Sequence, residues 1–227
     1  VRVCPQGAKS VRDDRPAVQE AISAGRTVVA SVAPAAPAYF DMTSFAQMQE
    51  VLQKLGFSAA GETAYGAEMV GVIHKELVET SPERWPIITS ACPVVVGLVE
   101  KYYPDLIPHL SPIVSPMIAH GRWLRERHGE DALIVFIGPC IAKKQEALEK
   151  PVAGVIDAAL TFRELEEWMA AEGVAFPPAP EGTETTPRVN ARLFPIEGGL
   201  TGTARMSTDL LDSDIVTTSG LGACQDA

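Results

Sequence analysis

The stretch from Ala132 to Gly138, ALIVFIG, holds seven residues with no polar side chain among them. A short apolar run bounded by turn residues reads as a strand covered on both faces, the kind found in parallel sheets flanked by helices. RTVVASVAPA, Arg26 to Ala35, is a second such run, rich in β-branched residues and ending at Ala-Pro, where a strand passes into a loop. Helical patterns alternate with these strands. In SFAQMQEVLQKLGF, Ser44 to Phe57, the residues Phe45, Met48, Val51, Leu52 and Leu55 recur at helical spacing, with Ser44 as N-cap and Gly56 as the stop. Ala67–Glu79 and Ser115–Gly129 read as further helices. Thr161–Gly173 is an amphipathic helix with Thr161 as N-cap and Glu164 completing a capping box. Trp85–Thr89 and Ser213–Gly222 are expected to be a short strand and a late strand with its turn; Phe176–Pro187 is a Pro-, Gly- and Thr-rich loop. The order of elements implies an α/β fold: two βαβ-type lobes with mostly parallel sheets flanking a central cleft.

Charge narrows the function. The chain of 227 residues has a net charge of −10 and a pI near 4.9, which argues against a nucleic-acid or acidic-membrane binder, since either needs a basic face. No apolar run reaches the ~20 residues of a bilayer span. The opening VRVCPQGAKS lacks the apolar core of a signal peptide, and a cytoplasmic location is expected.

The four cysteines, Cys4, Cys92, Cys140 and Cys224, are far apart and form no C-x-x-C pair. That pattern points to ligands or free thiols rather than disulfides. Cys92, in TSACPVVV, and Cys140, in FIGPCIAKKQEA, each follow an expected strand and precede a helix, with a proline beside each. At the C-terminal edge of a parallel sheet, a thiolate there faces the usual ligand crevice and the positive end of a helix. Two such thiolates suit a shared metal centre; two buried free thiols are the equal alternative, since isolated cysteines make no zinc pattern.

TSACPVVV and IGPCIAKKQEA resemble the first and second signature motifs of the [FeFe]-hydrogenase catalytic domain, roughly T-S-C-C-P and M-P-C-x-x-K-x-x-E. VVASVAPA, EKYYPDLIPHLSPIVSPM, VIDAALTFREL, LFPIEGGL and SGLGAC resemble other segments of that family in the same order, and VRVCPQGAK resembles the tail of a ferredoxin-like domain. The resemblance implies residues 1–20 as that tail and 21–227 as the hydrogenase-like domain, with a [4Fe–4S] cubane and a di-iron site forming the H-cluster in the full-length protein. It implies Cys92 and Cys140 as two cubane ligands and Cys4 as a ligand of a separate cluster. Lys143 matches the lysine that hydrogen-bonds a cyanide, Ala33 and Pro34 match residues lining the bridging ligand, and Ser111 matches a serine of the proton path. Glu146 matches the motif glutamate, read as structural. Without the resemblance, Lys143 reads as an exposed helix lysine beside Lys144.

Three departures from the family stand out. Ala91 replaces the cysteine that passes protons to the bridging amine, and a methyl carries no proton. Gly138 replaces a methionine that packs over the di-iron site. The third cysteine motif, expected after residue 227, is absent, so the fragment is expected to hold an incomplete cluster or none; Cys224 reads as a core thiol instead. The first two changes resemble the sensory branch of the family. His74 lies near the family's proton-path glutamates, yet His74, His109, His120 and His128 show no metal spacing and read as core or exposed histidines. Glu76, Glu79 and Lys75 read as a solvated face, and Glu197–Gly199 as a close backbone approach to the cluster pocket or an ordinary left-handed turn. The expected function is reversible dihydrogen oxidation, slow or sensory. The alternatives are a non-catalytic hydrogen or redox sensor coupled to a signalling domain, and a domain that binds only a cubane. Ferredoxin or attached iron–sulfur domains are the implied electron partners.

Overall fold

The computed structural model describes residues 4–178, 190–206 and 214–226. Four strands form one sheet: β1 (Val28–Val32), β2 (Ala59–Glu62), β3 (Leu133–Gly138) and β4 (Ala158–Thr161), in the order β2-β1-β3-β4, all parallel. Every residue of β1 and β3 is buried. Because successive side chains point to opposite faces, that pattern requires both faces of the sheet centre to be covered, as the unbroken apolar runs imply. β2, at one edge, is only half-buried.

The helices are α1 (Arg15–Ser23), α2 (Ala36–Phe40), α3 (Phe45–Lys54), α4 (Ala64–Thr80), α5 (Pro93–Tyr102), α6 (Pro116–His128), α7 (Ala142–Glu146), α8 (Phe162–Ala171), α9 (Gly199–Thr203) and α10 (Leu221–Asp226). Ser44 caps α3 and Thr161 caps α8, and both make reciprocal capping boxes, with Gln47 and Glu164. α6 packs on β1 and β3, α1 on β1 and β4, and α8 on β3 and β4. The main core, with Met48, Leu52, Ile118, Ile134, Leu160 and Leu165 essentially dry, lies along these contacts. α4 lies against α6 rather than on the sheet. Their approach depends on Gly66: a Cβ there would fall 2.2 Å from the Pro116 carbonyl oxygen and 2.8 Å from the His120 nitrogen.

Two expected strands do not form. Trp85–Thr89 contributes only one isolated bridge, Ile88 to Leu110. Pro82, Pro86 and Pro93 crowd this stretch, and each proline removes a ladder donor. Residues 214–220 are irregular and lead through Gly220, at φ +88°, into α10; Ser213 lies outside the described residues. Most of the expected Phe176–Pro187 loop, residues 179–187, also lies outside them; Phe176–Pro178 is irregular.

Candidate functional site

The C-terminal ends of β1 and β3 lie side by side. Ala33 follows β1 and donates its N–H to the Ile137 carbonyl (2.8 Å), and Gly138 closes β3 against it. A Cβ at Gly138 would fall 3.0 Å from the Ala33 Cβ and 2.6 Å from Phe136 Cζ. The Phe136 ring therefore stands where a larger residue at 138 would project, which the sequence alone did not indicate. Ala33 and Pro34 also line a cavity of about 50 Å³ with Val32, Thr43, Glu62 and Arg192. Arg192 and Glu62 meet there in a bidentate ion pair, at 2.8 and 2.9 Å. Cys92, Cys140 and Lys143 are not among the residues lining this cavity.

Cys92 is the N-cap residue of α5, exposed, with Pro93 at the first helical position. That proline lacks the N–H that would go unpaired there, and its fixed φ suits a helix start. The residue thus sits at the start of a ten-residue helix. Cys92 does not follow a strand, since Trp85–Thr89 forms none. Cys140 does follow β3, is half-buried, and accepts at its carbonyl from the Lys143 N–H (3.3 Å) as α7 begins.

Lys143 ties the two cysteine segments together. Its Nζ donates to the Ala91 carbonyl at 3.1 Å, directly before Cys92, and pairs with Glu146 at 2.6 Å. The lysine and glutamate side chains are 13% and 9% exposed, which disfavours the alternative of an exposed helix lysine. An ammonium held this far from water needs an anion beside it, and Glu146 supplies one, which fits the structural reading of that carboxylate. Among the described residues, two of the three N–H donors of Lys143 are engaged. Glu149, farther along the same segment, has its carboxyl pKa raised by burial, with the charges of Glu146 and Glu100 adding to the effect.

Ser111 and His74 meet; the family resemblance set both near the proton path without pairing them. Residues 109–113 run beside 88–90: Ile88 N–H donates to His109 O and Ser111 N–H to Ile88 O, both at 2.8 Å, and Ser90 Oγ donates to Ile113 O at 2.6 Å. This places Ser111 Oγ 3.1 Å from His74 Nε2, both residues buried. His74 Nδ1 lies 2.9 Å from the Val70 carbonyl, which can only accept. Nδ1 therefore carries the proton, and Nε2 accepts from the Ser111 hydroxyl. Burial pushes the His74 pKa down, opposed in part by the Val70 contact, so the ring is neutral at pH 7. The signal was present in the sequence: His74 falls on the same helical face as Ala67, Val70 and Gly71, all buried. His120 is also a core histidine, fully buried, while Lys75 and Glu79 form an exposed pair 3.8 Å apart, as a solvated face should.

Cys4 lies outside this cluster of contacts. The backbone N–H groups of Ala8 and Gln6, with smaller help from Gly7 and Lys9, lower its thiol pKa. Cys224 is half-buried, 3.2 Å from Thr218 Oγ1, and so is not the core thiol the sequence implied. Gly198 adopts the left-handed turn, at φ +71°, and Gly199 packs against the Leu193 and Phe194 carbonyls rather than on the cysteine segments.

All four cysteines are free thiols, and among the described residues no three His, Cys, Asp or Glu side chains gather as a metal site. Thiolate sulfur is the right donor for an iron–sulfur centre, and one of the two candidate donors sits at a helix N-terminus. Among the described residues, Lys143 joins the segments that carry Cys92 and Cys140.

The sequence matches the family described as iron only hydrogenase large subunit, C-terminal domain, over residues 26–222. The periplasmic [Fe] hydrogenase large subunit of Nitratidesulfovibrio vulgaris is 33% identical over 175 residues, 68% of this chain and 41% of that protein. The cytosolic Fe-S cluster assembly factor NAR1 of Phaeosphaeria nodorum is 32% identical over 149 residues, 52% of this chain and 23% of that protein. Among solved structures, apo [FeFe]-hydrogenase HydA1 from Chlamydomonas reinhardtii superposes with a TM-score of 0.62 at 27% identity, over 73% of this chain and 50% of that one. The chain spans half or less of the length of these relatives. With its parallel α/β sheet and its two cysteine motifs, the chain belongs to the iron-only hydrogenase large-subunit family, of which it carries the C-terminal domain sequence.

Proposed function

We propose that this chain is the cluster-holding part of a hydrogenase-type protein that turns hydrogen over slowly or serves as a hydrogen or redox sensor. The observation that carries the reading is Ala91. Its carbonyl is held by Lys143, directly before Cys92, yet its side chain is a methyl that neither donates nor accepts a proton. In this reading Cys92 and Cys140 hold the cubane half of an H-cluster. When bound, the cubane half would supply electron storage and the di-iron half the dihydrogen chemistry. The third N–H of Lys143 serves an anionic ligand, and Ala33 and Pro34 wall the pocket at the end of β1. Ser111 and the neutral His74 hold a proton between them at Oγ–H, and Ala91 offers it no carrier towards the reacting centre. Cys4 belongs to a separate cluster that passes electrons to ferredoxin or to an attached iron–sulfur domain, and a signalling domain is the partner in the sensory form. A cytoplasmic setting belongs to the same reading; the likeness to a cytosolic assembly factor supports it.

The test is Ala91→Cys in the full-length protein, with iron content and hydrogen evolution measured in both forms. A positioned proton donor typically contributes about 100- to 10,000-fold, so equally loaded protein should gain at least about 100-fold. Equal loading with unchanged evolution would refute the proton-delivery argument. A second reading, a non-catalytic role in Fe–S cluster assembly, draws on the likeness to NAR1. It predicts a bound cubane and no turnover in either form.

A further inference from the structure

We propose that Lys144 is a positioning residue: its ammonium clasps Asp14, Glu164 and the Ala159 carbonyl, and so fixes the short helix that sets Cys140 and Lys143. The helix α7 has five residues, too few to be stable by its own hydrogen bonds. Apolar packing holds it weakly, since Ile141 and Leu148 at its ends are 48% and 54% exposed and only Ala147 nearby enters the core.

The clasp is buried and built from both sides. Lys144, Asp14 and Glu164 side chains are 7%, 9% and 12% exposed. Nζ lies 3.0 Å from Glu164 Oε2 and 3.9 Å from Asp14 Oδ2, and it donates to Ala159 O. Each carboxylate is itself fixed. Glu164 accepts from the Thr161 N–H and hydroxyl at the start of α8. Asp14 accepts from the Ala159 N–H at 3.0 Å and from both Arg12 guanidinium donors. The ammonium therefore meets groups held by β4, by the first turn of α8 and by the segment before α1. Lys143, about 100° round the helix, reaches instead to Ala91 and Glu146. Two adjacent lysines thus hold α7 between the end of the sheet and the loop of the first cysteine. The clasp acts on this segment whatever Cys140 binds, so it goes beyond the hydrogenase reading and stands or falls separately.

The experiment uses the chain without metal. Alkylation by iodoacetamide is followed at each cysteine by mass spectrometry in the native protein, in Lys144→Met and in Lys144→Arg, with far-UV circular dichroism to establish that each is folded. Lys144→Met should raise the Cys140 rate about tenfold, equivalent to ~1.4 kcal/mol of lost anchoring, and leave Cys224 unchanged. Lys144→Arg, which keeps the charge, should stay near the native rate. An unchanged Cys140 rate in Lys144→Met, an equal rise at every cysteine, or an arginine variant as reactive as the methionine variant would each overturn the proposal. Should Lys144→Met not fold, Asp14→Asn removes one anion while leaving Glu164 in place. It should give a smaller rise confined to Cys140, and no such rise would overturn the proposal equally.

Discussion

Lowering the pH from 7 to 4 should weaken this fold through one histidine. His120 is fully buried on α6, with Nδ1 2.8 Å from Ser31 Oγ, which in turn lies 2.8 Å from Thr63 Oγ1. Its ring stacks on Trp123 at 5.6 Å, Nε2 has no hydrogen-bond partner among the described residues, and the Arg127 guanidinium lies over the far ring of that pair. Burial lowers the imidazole pKa from 6.5 to about 4. The folded ring thus resists a proton that the unfolded chain accepts near pH 6.5. Above that pH both states are neutral and the group is silent. Between 6.5 and about 4 only the unfolded chain is protonated, so stability falls as the pH falls, by up to about 1.4 kcal/mol per pH unit. The full effect is about 3 kcal/mol, a large share of the ~5–15 kcal/mol typical of a domain. Urea denaturation at half-unit steps from pH 8 to 4 measures it. The control is His120→Asn, whose amide reaches the position of Nδ1 and does not titrate. The native protein should lose about 3 kcal/mol more than the variant across this window. Parallel curves for the two would refute the argument.

Two further outcomes follow from the site. Gly138→Met should destabilise the chain by about 1–3 kcal/mol, because the new side chain meets the Phe136 ring; adding Phe136→Val should recover most of the loss in the same urea assay, and a neutral single variant would show that the ring does not obstruct that space. His74 should be the Nδ1–H tautomer at pH 7, visible in its ring ¹⁵N shifts, with Nε2 moving in Ser111→Ala as its donor is lost; an Nε2–H native ring would contradict the geometry.

Much of this fold was legible because its determinants are local. The apolar runs of β1 and β3 and the capping boxes at Ser44 and Thr161 are written in consecutive residues. α1 and the two short outer strands were missed: Ala59–Glu62 reads as AAGE, with no β-branched residue, and is a strand only because β1 supplies its partner. Trp85–Thr89 shows the converse, since its apolar residues suggested a strand that Pro86 and the prolines flanking it disfavour. For the site, motif spacing singled out Cys92, Cys140 and Lys143 and set each cysteine after a strand; only Cys140 follows one. It could not show that Lys144 is the more buried of the two lysines, nor that Ser111 meets His74. Those facts depend on partners outside the local stretch: Ala159 lies 15 residues from Lys144, and Ser111 lies 37 from His74.

The parallel sheet also carries a kinetic consequence. Its central pairing joins Val28 to Leu133, and the contact between Lys143 and Ala91 closes a separation of 52 residues, while Ala159 and Asp14 are 145 apart. No hairpin can nucleate such a sheet, since each parallel neighbour needs a long crossover before its first hydrogen bond forms. Chain-closure entropy must be met before these distant contacts return anything, and folds of high contact order are correspondingly slow. The segments of Cys92 and Cys140 are therefore joined, through Lys143 and the Ala91 carbonyl, only after distant parts of the chain have met, so a nascent chain holds them apart and their junction is among the late events of folding.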